Sequence, residues 1–179
     1  MDVRCLGTGR PFVAELPSPK KRTADLEALE LESKKNESVQ ATGLRIVRKN
    51  FIDSVCNSHF EKEYEATVSA DRALTLPDAK KLASLSGTML EQRTPQRVLS
   101  RRTDMLRRRT IQKISAEPLP GGKLKLRILA EAGTYIKEFI SSDDGRTKPS
   151  ASSILGCSAK CDELDVVAIH DYFLETVRG

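Results

Sequence analysis

Tryptophan is absent and aromatic residues make up only 4% of the 179 positions, so the core has to be mostly aliphatic. Cysteine is sparse: Cys5, Cys56, Cys157 and Cys161 are too few and too scattered for a disulfide framework. Cys157 and Cys161 would need His59 and His170 to complete a metal set. Four separate thiols in a reducing compartment is the better reading, and no metal is expected. No apolar run approaches the roughly 20 residues that cross a bilayer, and no apolar signal core follows Met1. There is no internal repeat. These absences point to an intracellular protein, cytoplasmic or nuclear, with no membrane partner.

What the chain has is positive charge in clusters. The formal net charge is +5, and Arg97, Arg101, Arg102, Arg107, Arg108 and Arg109 lie within thirteen positions. A solvated strand face explains any one of them. Six together repel one another, and phosphate contacts offset that repulsion while giving salt-dependent affinity. Lys123, Lys125 and Arg127 extend the same surface if their strand pairs with the arginine strand.

The pattern of elements is α+β. Residues 12–14 read as an apolar strand, 23–35 as a helix capped by Thr23, and 43–50 as an exposed strand. Residues 60–70 alternate, with Phe60, Tyr64, Ala66 and Val68 on one face and Glu61, Glu63, Glu65 and Thr67 on the other. Leu76-Pro77-Asp78 opens a helix that stops at Gly87. The arginine-rich stretch 95–115 reads as two strands broken near Thr103-Asp104. LPGG at 119–122 is a hairpin turn into KLKLRILAEA. A short helix follows Gly133, and 163–173 supplies a last strand. Most neighbouring strands are antiparallel, so the expectation is a mixed, largely antiparallel sheet with flanking helices, in one domain over 1–179.

Two stretches carry the chemistry. AGTYIKEF at 132–139 delivers Tyr135 and Lys137 to the start of a helix, and DDGRTKPS at 143–150 adds Arg146 and Lys148. A tyrosine at a helix start is commonly a core residue with a wet hydroxyl. Beside so many cations it also suits stacking on a flipped base. Lys137, between Ile136 and Phe139, has a partly packed stem, and a partly buried lysine needs a carboxylate. Tyr64, on an apolar strand face, reads first as core.

Taken in order, DVRCLGTGRPF at 2–12, YEA at 64–66, RTPQRVLSRR at 93–102, AGTYIKEF at 132–139, GRTKPS at 145–150 and ELDV at 163–166 resemble the archaeal and eukaryotic pseudouridine synthases of the tenth type, which modify the T-arm of tRNA. The resemblance runs through most of the chain and implies the C-terminal portion of a pseudouridine synthase catalytic domain. It implies an isomerase that turns uridine into pseudouridine without cofactor or metal, through an aspartate nucleophile. Its partner would be the T-arm of tRNA. Tyr64 and Tyr135 would contact the base, and Lys137 would pair with the nucleophile. Arg10, Arg101, Arg102, Arg146 and Lys148 would hold RNA or shape the pocket. Two positions depart from the family pattern. Its HRR histidine is Ser100. Its nucleophile, the Asp of an Arg-Glu-Asp triplet, aligns immediately before Met1, leaving Asp2 as a weak substitute. The other expectation consistent with these residues is an inactive RNA-binding remnant.

Overall fold

The computed structural model describes residues 3–173. It holds a seven-stranded sheet in the order β1 (Arg4–Cys5), β7 (Ala159–Ile169), β2 (Lys62–Ala70), β5 (Lys123–Ala130), β4 (Leu106–Leu119), β3 (Thr88–Arg93) and β6 (Thr147–Lys148). Only β1 on β7 is parallel; the other pairings are antiparallel. The expected α+β class, with a largely antiparallel sheet and flanking helices, is the observed one.

The chain divides into two compact units. The larger, residues 1–10 and 59–170, contains the sheet, α3 (Leu76–Ala83), α4 (Ile136–Ser141) and α5 (Ala151–Leu155). One face of the sheet is apolar, by alternation in β2 and β5 and with register shifts in β4 and against β7. Tyr64, Ala66 and Val68 of β2 meet Leu124, Leu126 and Ile128 of β5 and Leu164 and Val166 of β7. Leu82, Ile136, Phe139, Ile140 and Leu155 from the three helices complete this core. Each such side chain, once fully buried, contributes about 1.5–3 kcal/mol.

The opposite face is an ion-pair lattice. Arg127 binds Glu63 at 2.6 Å, Lys125 binds Glu65 at 2.9 Å, Lys123 binds Asp162 at 2.8 Å and Arg4 binds Asp165 at 2.6 Å. Lys123, Lys125 and Arg127 are therefore neutralised by carboxylates and do not extend the arginine surface, contrary to expectation. The strand pairing that was expected to align them is present, but β2 and β7 bring acids to the same face.

The smaller unit, residues 11–58 and 171–179, contains α1 (Leu26–Ser33) and α2 (Phe51–Cys56). Asp25, not Thr23, caps α1, accepting from the Ala28 N–H at 3.0 Å. Neither helix buries a residue. Residues 12–14 and 43–50 form no strand; alternating apolar residues make a strand only where another strand can pair with them.

Candidate functional site

Tyr135 and the loops that carry Arg102 and Arg146 gather around the turn between β5 and α4. Gly133 takes φ +80° there. Tyr135 follows at the N-cap of α4 with extended backbone, φ −92° and ψ 93°. Its backbone is clamped by Gln92 of β3. The Gln92 amide donates to the Tyr135 carbonyl at 3.0 Å, and its oxygen accepts from the Tyr135 N–H at 3.0 Å. The same amide reaches the Thr147 hydroxyl at 3.3 Å. Gln92 is 0% exposed, so both ends of its amide depend on these partners. The half-buried Tyr135 ring leaves this clamp with its hydroxyl accepting from Arg102 Nη1 at 3.2 Å.

Lys137 follows on α4. It is half-buried and makes no ion pair among the described residues. Its ammonium bears on the Cys161 thiol of β7, opposing the burial that pushes that thiol up to about 11. The next residue, Glu138, is buried and held by Arg97, whose Nε donates to it at 2.7 Å. That pair fastens the single 3-10 turn Gln96–Val98 to α4.

Tyr64 lies deeper, 7% exposed, in one register row with Val166, Cys5 and Ile128. Burial pushes its phenol up to about 12. The segment at 5–10 is drawn tightly onto β7. Leu6 N–H donates to the Val166 carbonyl at 2.7 Å, and the Thr8 hydroxyl accepts from the Ile169 N–H at 3.1 Å. Gly7 sits at φ +66°, where a Cβ would come within 2.0 Å of the Val167 carbonyl oxygen; only glycine allows this approach. Arg10 comes out of the turn exposed, close enough to Lys62 to lower its pKa further, after burial.

Arg146 points inward. Its guanidinium donates to the Thr94 carbonyl at 2.9 Å and to Asp104 at 2.6 Å, closing the 94–105 loop over the 143–148 loop. Lys148 is exposed and stands opposite Glu91 across β3 and β6. Arg101 is exposed, as is Ser100, the residue at the family's histidine position. The structure thus brings Tyr135, Lys137, Arg102 and Arg146 around the 133–135 and 143–148 loops. Arg10 and Tyr64 stand on the β1–β2 side. Asp2 lies outside the described residues.

The stretch 95–115 is not two strands. Pro95 opens the 3-10 turn, residues 99–105 form no strand, and only β4 follows. The reading missed Gln92, Arg97 and Glu138. The signal for the first was a glutamine alternating with Leu90 in TMLEQR, an apolar-phase position given to a polar residue. Among the described residues, no group of His, Cys, Asp or Glu is placed to hold a metal, and no helix is long and apolar enough to cross a membrane.

The fold is a largely antiparallel α+β sheet that carries a clamped tyrosine and a carboxylate-free lysine among arginines. The chain belongs to the family described as Pus10, C-terminal, whose model matches residues 1–170. It is 39% identical over 172 residues to the tRNA pseudouridine synthase Pus10 of Pyrococcus furiosus, and 41% identical over 173 residues to that of Methanocaldococcus jannaschii. These alignments cover 96% of this chain but 44% and 38% of those proteins, so the chain spans less than half of the curated relatives it matches. Among solved structures, a Cbf5-Nop10-Gar1 complex is similar at 25% identity and a TM-score of 0.49, over 61% of this chain and 30% of that one.

Proposed function

We propose that this chain is the part of a tRNA pseudouridine synthase that holds the target uridine, and that the target lies in the T-arm. The observation that carries the reading is the Tyr135–Lys137 pair. An aromatic ring is fixed by a buried amide, and a half-buried cation nearby has no carboxylate among the described residues. The names of the relatives supply the substrate class, tRNA.

In this reading Tyr135 stacks on the uracil, with Arg102 fixing its hydroxyl. Lys137 lies at the end of the sheet where the nucleophilic carboxylate would enter. β1 runs parallel to β7, so its N-terminal end points to the same end of the sheet as Cys161, beside Lys137. The family's nucleophile is the aspartate of its Arg-Glu-Asp triplet. An opposite charge within a few ångströms keeps a carboxylate ionised, lowering its pKa by roughly 1–3 units. The aspartate attacks the ribose C1′ as its bond to N1 breaks, leaving the base as the leaving group. The base then turns, and its C5 bonds to C1′ and expels the carboxylate; the C5 proton is lost and N1 gains one in its place. Atoms balance without redox chemistry or a cofactor. Tyr64 lies under this region with its phenol protonated at neutral pH. Arg10, Arg101 and Lys148 are exposed for the RNA backbone, and Arg146 shapes the pocket by closing its loop. Such work belongs in the cytoplasm or nucleus.

The test uses the full-length native protein and its Lys137→Met variant on an unmodified tRNA transcript, reading pseudouridine by carbodiimide-dependent reverse-transcription stops. Loss of a preorganised charge at the reacting centre should slow modification about 100-fold. Equal rates would remove Lys137 from the chemistry. Pseudouridine only outside the T-arm would overturn the target, and RNA binding with no pseudouridine would overturn the enzyme.

A further inference from the structure

The triplet Arg107-Arg108-Arg109 is divided by the pleat of β4. Arg108 stands on the face of Glu91, its Nη2 3.1 Å from that carboxylate. Arg107 and Arg109 turn to the other face, in register with the buried Gln92 and Leu90 of β3. Both are half-buried, and neither meets a carboxylate among the described residues. Arg107 Nη1 donates to the Thr94 hydroxyl at 2.8 Å. Arg109 Nη1 donates to the Arg108 carbonyl at 2.6 Å, while its buried Nε has no partner. The nearby Glu131 carboxylate is occupied by the Thr110 N–H at 2.9 Å.

Two residues apart on one strand face, the Cα atoms of Arg107 and Arg109 are separated by roughly 7 Å. On the opposite sheet face Arg4, Lys123, Lys125 and Arg127 each meet a carboxylate, whereas these two meet none among the described residues. They stand beside the tyrosine turn. Arg109 lies under Gly133, its Nε 3.5 Å from where a Cβ would be, and Arg107 stands opposite the glutamine that clamps Tyr135. A guanidinium fork presents parallel donors to a phosphate.

We propose that Arg107 and Arg109 form a phosphate subsite that grips the RNA backbone beside the nucleotide held at Tyr135. The proposal rests on the reading above that this chain binds RNA, and it gives Arg108 of the same triplet no part.

The experiment measures binding of a T-arm hairpin RNA by this 179-residue chain between 50 and 200 mM salt. The variants are Arg107→Gln/Arg109→Gln, Arg108→Gln and Arg109→Met. The double variant should bind about 10-fold or more weakly, and its slope of log affinity against log salt should shrink by about 1–2, the value for two lost phosphate contacts. Arg108→Gln should keep the wild-type slope. Arg109→Met should weaken binding while melting no lower than wild type, because it removes a half-buried cation that has no counter-charge among the described residues; a merely structural arginine would melt lower. Should the double variant not fold, Arg109→Met alone carries the test. Wild-type binding with unchanged slope in the folded variants overturns the subsite alone. No hairpin binding by the wild-type chain at 50 mM salt overturns the RNA-binding reading and the subsite with it.

Discussion

Gln92 has the largest structural consequence for its size. It is a neutral side chain at a fully buried position, and it serves both backbone groups of Tyr135. Gln92→Ala would leave that N–H and carbonyl without partners in a closed space, at about 1–3 kcal/mol each. The expected result is a loss of roughly 2–6 kcal/mol in urea unfolding, with the denaturant slope unchanged. Gln92→Glu keeps the acceptor and loses the donor, so it should fall no closer to wild type than halfway. A Gln92→Ala variant as stable as wild type would show that the turn holds itself. At this scale the sequence draws attention only to conspicuous residue types. Tyr135 and Lys137 stood out as an aromatic and a cation in a small-residue turn. Gln92, Arg97 and Glu138 did not stand out, because their work depends on partners between 41 and 43 positions away.

Elements defined by their own sequence were readable. β2 and β5 alternate cleanly, and α3 opens on a proline. α3 also carries a capping box not visible from composition: the Asp78 carboxylate accepts from the Thr75 N–H at 3.0 Å and hydroxyl at 2.9 Å, and from Arg72 at 2.7 Å. β3 was missed because Glu91 and Arg93 face solvent and its partners come from β4 and β6. The strands expected at 12–14 and 43–50 failed for the opposite reason: apolar residues are present there, but no strand pairs with either stretch among the described residues. The capping box carries a prediction about pH. Arg72, then the Thr75 bonds, hold Asp78 below the ordinary carboxylate range against the pull of its burial. A depressed folded-state pKa stabilises above the unfolded value of about 3.9 and loses that contribution as pH falls below it. Melting temperature should therefore drop from about pH 4 downward. Asp78→Asn should cost about 1 kcal/mol or more at pH 7 through the lost cap, and its acid limb should be shallower than wild type. Glu63 and Asp162, also held low by Arg127 and Lys123, keep part of that limb in the variant. Parallel acid limbs in the two proteins would mean that Asp78 titrates normally.

At the scale of the whole chain, burial is distributed unevenly between the two units, and that has a measurable consequence. The larger unit contains the whole hydrophobic core cluster, with Val68, Leu124, Leu126, Ile128 and Phe139 fully enclosed. In the smaller unit α1 and α2 bury nothing, and Leu16, Leu31 and Ile46 stand in solvent. What orders α1 is local: the Asp25 cap, the Glu30 carboxylate accepting from the Leu44 N–H at 2.6 Å, and Ser33 bridging to Ala41. Such bonds net only about 0.5–1.5 kcal/mol each, and a helix of eight residues is marginal without apolar packing. Native-state hydrogen exchange should therefore separate the units. Amides of α1 should open at about 0–2 kcal/mol, and those of β2 and β5 only with global unfolding, at about 5–15 kcal/mol. A stabilising substitution in the sheet would then raise protection in β2 and β5 and leave α1 unchanged. Protection of α1 equal to that of β5, rising with it in the stabilised variant, would instead make the chain one cooperative unit over 1–179, the organisation its sequence suggested.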